Sequence, residues 1–440
     1  MKAKVFLMSL GCDKNRVDAE IMAAALEDGG YELTDDIGEA DLAVVNTCGF
    51  IESAKQESID AIFEAVRHRE EDGHPEKILV TGCLSQRYFD EISDEIPEAD
   101  GFLTLAGNSR ICEAADRVLS GERVKISEGT LPSEGRRVLS TPPHIAYVKI
   151  AEGCSNRCAY CAIPMIRGKY RSRPQESVVN EVKELVNGGA EEIILVAQDT
   201  SAYGMDLHDG TSLAGLLEEL DKIDGIWKVR VLYTYLDRID DRLLDVIAGG
   251  RRIAKYLDIP LQHCSGEVLR RMHRPGDRKT LTEKIKHIRD KVPGITLRST
   301  FMVGFPGETD RQFDELLNFL EKMRFERAGF FSYSREEGTE AAEFEDQIPE
   351  ETKKSRLALA EDVQAGVLAD LQSMKAGTEA EAICDGFDGD AMMYSLRTES
   401  DAPDVDTCRY ALGGEKELAP GDIVRVKILS SDGADLYGEF

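Results

Sequence analysis

Up to about residue 120 the chain alternates short apolar runs with amphipathic stretches of helical period. Three runs stand out: 4–10 (KVFLMSL), 41–45 (DLAVV) and 77–80 (KILV). Strand-length runs separated by helical patterns predict an open α/β sheet with parallel strands. A second series starts at His144, with strand candidates at 145–150, 192–197, 228–233, 256–260, 295–303 and 327–333. Helical patterns such as ESVVNEVKELVNGG and DRQFDELLNFLEKM separate them. Six units suit a partial (β/α)6 barrel better than a closed eight-unit one. After a helix-forming stretch at 350–373, short alternating runs (EAEAIC, DIVRVKIL) with Gly, Pro and Asp turns predict a small antiparallel β-barrel. The polar, Gly- and Pro-rich segment before His144 reads as a linker. The expected organisation is therefore α/β and multidomain: an N-terminal domain at 1–125, a linker at 126–143, the partial barrel at 144–372 and the small barrel at 373–440.

Length agrees, since 440 residues exceed what one ordinary core accommodates. No apolar run is long enough to span a bilayer. The opening MKAKVFLMSLGC carries a strand-length run ending at Gly11 and Cys12 rather than a signal pattern, so a soluble, cytoplasmic protein is expected. Ten cysteines in a long chain of that kind point to metal or redox chemistry before disulfides. The formal net charge of −29 argues against a protein whose main task is holding nucleic-acid phosphates. It fits a basic partner, or simply a well-solvated surface.

The densest chemical signal is EGCSNRCAYCAIP, where Cys154, Cys158 and Cys161 follow a predicted strand. Three thiolates in one short loop can bind three irons of a cubic cluster and leave the fourth open to a chelating substrate. Structural zinc is the competing metal, but it normally takes four protein ligands, and no fourth is evident nearby. Buried structural thiols are the plain alternative. From Arg136 to Pro174 eight basic residues stand against Glu152 alone, a sign that favours anionic groups. An ordinary basic surface loop has the same composition.

Cys12, Cys48 and Cys83 are far apart in sequence, yet each lies just beyond the carboxyl end of a predicted strand. Ligand sites in open parallel sheets assemble at that edge. Each cysteine has a glycine directly beside it (SLGC, NTCGF, TGCLS), which would admit a bulky ligand close to the backbone. A second three-cysteine cluster follows, against the alternative of three small core residues. Cys112, Cys264, Cys384 and Cys408 lack the strand-end pattern and receive no role.

SLGCDKNRVDAE (9–20), VNTCGFIESAKQESID (45–60), TGCLSQRY (81–88) and EGCSNRCAYCAIPMIRG (152–168) together resemble the radical S-adenosylmethionine (SAM) methylthiotransferases. The C-terminal barrel resembles the TRAM domain appended to them. SLGC-x-KN, TCGFIESAK and RTESDAPDVD (397–406) resemble the RimO type more than the MiaB type. The resemblance implies two 4Fe-4S clusters. Cys154, Cys158 and Cys161 would hold the one that cleaves SAM to a 5′-deoxyadenosyl radical, and Cys12, Cys48 and Cys83 the one that carries the sulfur. It implies two SAM molecules, an electron donor, a sulfur source and, as substrate, the β-carbon of an aspartate in small-subunit ribosomal protein twelve. Tyr160, Gln198, Asp199, Arg298, Gly304 and Tyr333 are candidate cofactor contacts, with Ser299, Gly307 and Phe331 near them. Asp13, after the first cluster cysteine, either opposes cluster reduction or faces solvent.

Charge bears on the choice of substrate. From Asp370 to Phe440 sixteen acidic residues stand against six basic ones, which would repel phosphates and attract a basic ribosomal protein. The rival readings are a transfer-RNA methylthiotransferase, betrayed by steep salt-dependent RNA binding, and a non-catalytic iron–sulfur carrier, betrayed by the absence of SAM cleavage.

Overall fold

The computed structural model of the chain describes residues 3–131, 134–406, 409–413 and 417–440. The chain forms two compact units. The first takes the residues up to 140 together with 151–173 and 334–342. The second takes 141–150, 174–333 and 343–440.

The first unit is built on six strands: β1 (Lys4–Ser9), β2 (Glu32–Thr34), β3 (Leu42–Thr47), β4 (Lys77–Gly82), β5 (Gly101–Leu103) and β6 (Val124–Ile126). They lie in the order β2-β1-β3-β4-β5-β6, and every pairing is parallel. The central strand β3 is buried at every position, which explains its unbroken apolar run. Its alternate residues serve opposite faces. Leu42 and Val44 join Val5, Leu79, Met22, Leu26 and Val118 in one core, while Ala43 and Val45 join Ile78, Val80, Ile62 and Val66 in the other. Helices α1 (Asp13–Asp28), α2 (Glu52–Asp72) and α3 (Cys83–Arg87) follow β1, β3 and β4. Strands β2, β5 and β6, three residues each, were not anticipated because so short a run shows no period. The loop at 151–173 is closed by a two-stranded antiparallel ribbon, Ala151–Glu152 against Arg171–Ser172, and contains the short helix α4 (Ile163–Arg167).

The second unit holds the six expected barrel strands: β7 (Ile145–Lys149), β8 (Glu192–Val196), β9 (Lys228–Val231), β10 (Ile253–Asp258), β11 (Thr296–Val303) and β12 (Arg327–Ser332). They pair in chain order, all parallel, and β7 and β12 remain edges, so the sheet is an open partial barrel. Strand β10 starts three residues earlier than its apolar run suggested, because Lys255 interrupts the pattern at a half-buried position. A long helix, α5 (Glu350–Ser373), leads to five strands, β13 (Glu379–Asp388), β14 (Met393–Thr398), β15 (Arg409–Leu412), β16 (Ile423–Asp432) and β17 (Asp435–Glu439), which close into a barrel. One of its pairings, β15 with β17, is parallel rather than antiparallel. Five strands in a closed ring cannot alternate direction at every step, so one neighbouring pair must run the same way.

The segment 397–406 is the seam between this barrel and the open sheet. Arg397 pairs with Glu192, and Arg230 reaches the same carboxylate at 2.8 Å. Asp401 is shared by Arg409 and by Arg327 at 2.8 Å. Asp406 accepts from the Tyr256 hydroxyl at 2.7 Å, and Trp227 Nε1 donates to Glu381 at 2.8 Å. Among the described residues no helix is long and apolar enough to cross a membrane.

Candidate functional site

Strands β1, β3 and β4 are neighbours, with Ser9 opposite Asn46 and Thr47 opposite Gly82. Their carboxyl ends therefore deliver Cys12, Cys48 and Cys83 side by side, as the strand-end reading expected. Cys12 is exposed at the start of α1, whereas Cys48 and Cys83 are buried. The glycines beside them also make room for neighbouring chain. Gly11 adopts φ +90°, and a Cβ there would lie 2.8 Å from Cys48 Cβ and 2.9 Å from its Sγ. Gly82, at φ +98°, would meet the Thr47 backbone at 2.3–2.4 Å. The missing side chains let one cysteine-bearing segment approach the next.

Asn15 fastens these ends together. Its side-chain amide donates to the carbonyls of Leu10 at 2.6 Å and Thr47 at 3.2 Å, and Asn46 donates back to the Asn15 carbonyl at 2.9 Å. The Ser58 hydroxyl accepts from the Cys48 amide at 2.9 Å. Asp13 opens α1, where a carboxylate complements the helix dipole.

Helix α4 carries Arg167 into the same place. Its side chain is 1% exposed, and Nη1 donates to Asp18 at 2.9 Å and to Glu152 at 3.0 Å. Nη2 reaches Asn15 Oδ1 at 3.3 Å and Cys83 Sγ at 3.4 Å. Burial pushes the Cys83 thiol up to about 12, with the Arg167 charge the chief opposing influence. Burial also raises Cys48. Burial opposes the charge on Arg167, but Cys83, Glu152 and Asp18 outweigh it and hold its pKa well above the ordinary value.

Cys154, Cys158 and Cys161 are half-buried in the loop that the ribbon closes. The Cys154 amide donates to the Gly168 carbonyl at 3.1 Å, and Ala341 donates to the carbonyl of Ala159 at 2.8 Å. Ala162 and Ile166, just beyond Cys161, pack with Cys83 and Leu105 in one apolar cluster. Both cysteine trios, and Tyr160 with them, thus belong to one compact unit. Among the described residues no disulfide joins two cysteines. Among the described residues no three His, Cys, Asp or Glu side chains converge as ligands of a single ion would. Two all-thiol trios, one of them with an N–H donor on a sulfur, fit iron–sulfur cubes, in which each thiolate takes a different iron.

The remaining candidates lie on other elements. The basic excess around the loop is partly spent within the first unit: Arg136 pairs with Glu27 and Asp28, Arg137 with Glu20, and Arg167 with Asp18 and Glu152. The other cofactor candidates lie in the second unit. Gln198 and Asp199 follow β8, and the Asp199 carboxylate is held by Arg238 and by the Ser201 hydroxyl at 2.6 Å. Arg298 lies 3.2 Å from Asp258, and the Ser299 hydroxyl donates to the Ile259 carbonyl. The space beside Gly304 is filled by Lys353, whose Cγ would be 2.4 Å from an added Cβ, and a Cβ at Gly307 would run into Arg271. Tyr333 is packed edge-on against Phe305, with Lys353 Nζ 5.2 Å from its ring, while Phe331 is half-buried on β12. Cys112 donates to the Ala25 carbonyl, Cys264 and Cys384 are buried, and Cys408 lies outside the described residues. Asn15 and Arg167 lie within the SLGCDKNRVDAE and EGCSNRCAYCAIPMIRG motifs but carry no signal of their own in sequence, because nothing local announces partners as distant as Thr47 and Cys83.

Comparison with known proteins agrees with this arrangement. Residues 4–104 match the uncharacterized protein family UPF0004, 148–320 the radical SAM superfamily and 376–440 the TRAM domain. The ribosomal protein uS12 methylthiotransferase RimO of Desulforudis audaxviator is 47% identical over 99% of this chain and 96% of its own. The protein of the same name from Geobacter sulfurreducens is 43% identical over 100% of this chain and 98% of its own. Among solved structures, the radical SAM methyltransferase TsrM of Kitasatospora setae, with cobalamin and a [4Fe-4S] cluster bound, aligns with a TM-score of 0.56 at 14% identity. That alignment covers 76% of this chain and 72% of the other, and shows a shared fold. Full-length relatives at this level of identity, over a chain with the radical SAM and TRAM domains in place, make the conclusion plain: the chain belongs to the RimO family of radical SAM methylthiotransferases.

Proposed function

We propose that this protein inserts a methylthio group at the β-carbon of an aspartate in ribosomal protein uS12, using two SAM molecules and two 4Fe-4S clusters. The observation that carries the reading is a set of relatives named uS12 methylthiotransferases, 42–47% identical over almost the whole chain. The two thiol trios in one compact unit support the chemistry. Cys154, Cys158 and Cys161 would hold the cluster that meets SAM, and Cys12, Cys48 and Cys83 the cluster that carries sulfur. When bound, these groups supply the electron that cleaves SAM and the sulfur to be inserted. The chain contributes placement. Asn15 and the two glycines hold three strand ends in contact, and burial of Cys48 and Cys83 keeps water from their sulfurs.

An unactivated β-carbon offers no acidic proton, so a side-chain base gives no route to it, and a radical process supplies one. The acidic surface of the C-terminal barrel favours a basic protein substrate over RNA.

The test is anaerobic reconstitution followed by mass spectrometry of uS12. The wild-type chain is expected to hold about eight irons and to yield uS12 heavier by one methylthio group. Cys48→Ala is expected to keep deoxyadenosine formation and lose sulfur insertion. Normal product from Cys48→Ala would overturn the division of labour. Modified transfer RNA with unmodified uS12 would overturn the substrate.

A further inference from the structure

We propose that Arg167 is a positioning residue that links the Cys154–Cys161 loop to Cys83 and raises the reduction potential of the cluster held by Cys12, Cys48 and Cys83. The inference rests on the cluster assignment above and goes beyond it. Arg167 ends α4, the helix that begins two residues after Cys161, and its side chain crosses to Asp18 and Asn15 on α1 and to Cys83 at the start of α3. A guanidinium placed only for stability would need its carboxylates alone. Here Asp18 and Glu152 take Nη1, and Nη2 is left for Asn15 and the sulfur.

A fixed, buried cation donating N–H to a ligating sulfur draws electron density from the metal and favours its reduced form. Water cannot substitute for that charge, because the side chain is 1% exposed. Ile166 of the same helix and Ala162 just before it pack with Cys83, so any shift of one cysteine loop is felt at the other.

The experiment uses the full-length chain with Cys154, Cys158 and Cys161 replaced by Ala, so that only the first cluster is present. Its potential is measured by anaerobic redox titration followed by electron paramagnetic resonance, with Arg167, Arg167→Lys and Arg167→Gln compared at equal iron content. Arg167→Gln is expected to move the potential to more negative values and alter the signal, while Arg167→Lys lies between. An unchanged potential in Arg167→Gln with full iron would overturn the proposal and leave Arg167 a structural residue. Should Arg167→Gln fail to fold, Asp18→Asn with Arg167→Gln is measured against Asp18→Asn alone, and the difference between those two potentials decides in the same way, because Asp18 is then absent from both. If the parent chain binds no cluster at all, the proposed function falls and this inference with it; iron content separates that result from the other.

Discussion

Gly11 shows how much of the site depends on single atoms. At φ +90°, with Cys48 Cβ 2.8 Å from where a methyl would stand, Gly11→Ala must both strain the backbone and push two cysteine segments apart. We expect a loss of about 1–3 kcal/mol in stability, and iron content falling by roughly half as the first trio fails while the second loads. Thermal unfolding and iron analysis check both. Cys83 makes a second prediction. Its folded pKa, about 12, lies above the ordinary thiol value of 9.0, so the unfolded chain gives up that proton first. The contribution of this thiol to apoprotein stability is therefore complete below pH 9 and is lost as pH rises toward 12. Cys83→Ala should unfold with a shallower dependence on pH across that window, measured in denaturant; an identical slope would contradict the assignment.

Among the elements, the segment 397–406 joins the small barrel to the open sheet of the second unit. Asp401 is buried between Arg327 and Arg409. Burial disfavours its charge, yet the two arginines outweigh that and hold its carboxyl far below the usual range. Its stabilising effect is thus present above the unfolded carboxylate value of 3.8 and is lost as pH falls below it. Asp401→Asn should cost about 3–5 kcal/mol, because it strands two buried guanidinium groups, and should weaken the response to acid below the carboxylate's ordinary value of 3.8; calorimetry from about pH 2 to neutrality reads both. In sequence this stretch is a family signature, but its task as a seam is not legible there, since its partners Glu192, Tyr256 and Arg327 lie on three separate strands. The six barrel strands, by contrast, were legible from their apolar runs alone.

For the whole molecule, net charge is −29, and the fold decides where that charge faces. In the C-terminal barrel Asp401 is buried and Asp385 and Asp406 are half-buried, all three engaged in internal contacts, but Arg397 and Arg409 are buried too. Exposed Glu379, Asp390, Glu417, Asp432 and Glu439 outnumber exposed Arg425 and Lys427. Opposite charges steer association and are screened by salt. Raising salt from about 50 to 500 mM should therefore raise KM for uS12 several-fold with little change in kcat, and Asp390→Lys with Glu439→Lys should do the same at low salt. A KM indifferent to both would remove the barrel from substrate recruitment.

The sequence alone determined the two α/β series, their longer strands and the two cysteine sets, because strand periods and strand-end positions are local properties. Tertiary structure decided which groups meet. Arg167 finds Asp18 across 149 residues and Cys83 across 84, and the Cys154–Cys161 loop joins the N-terminal unit instead of its own barrel. The glycines beside the cysteines make room for neighbouring chain segments, a choice visible only once three strand ends lie side by side. Periodicity records which face of an element is buried; the partner of a buried charge depends on how whole elements are packed, and no short window of sequence contains that.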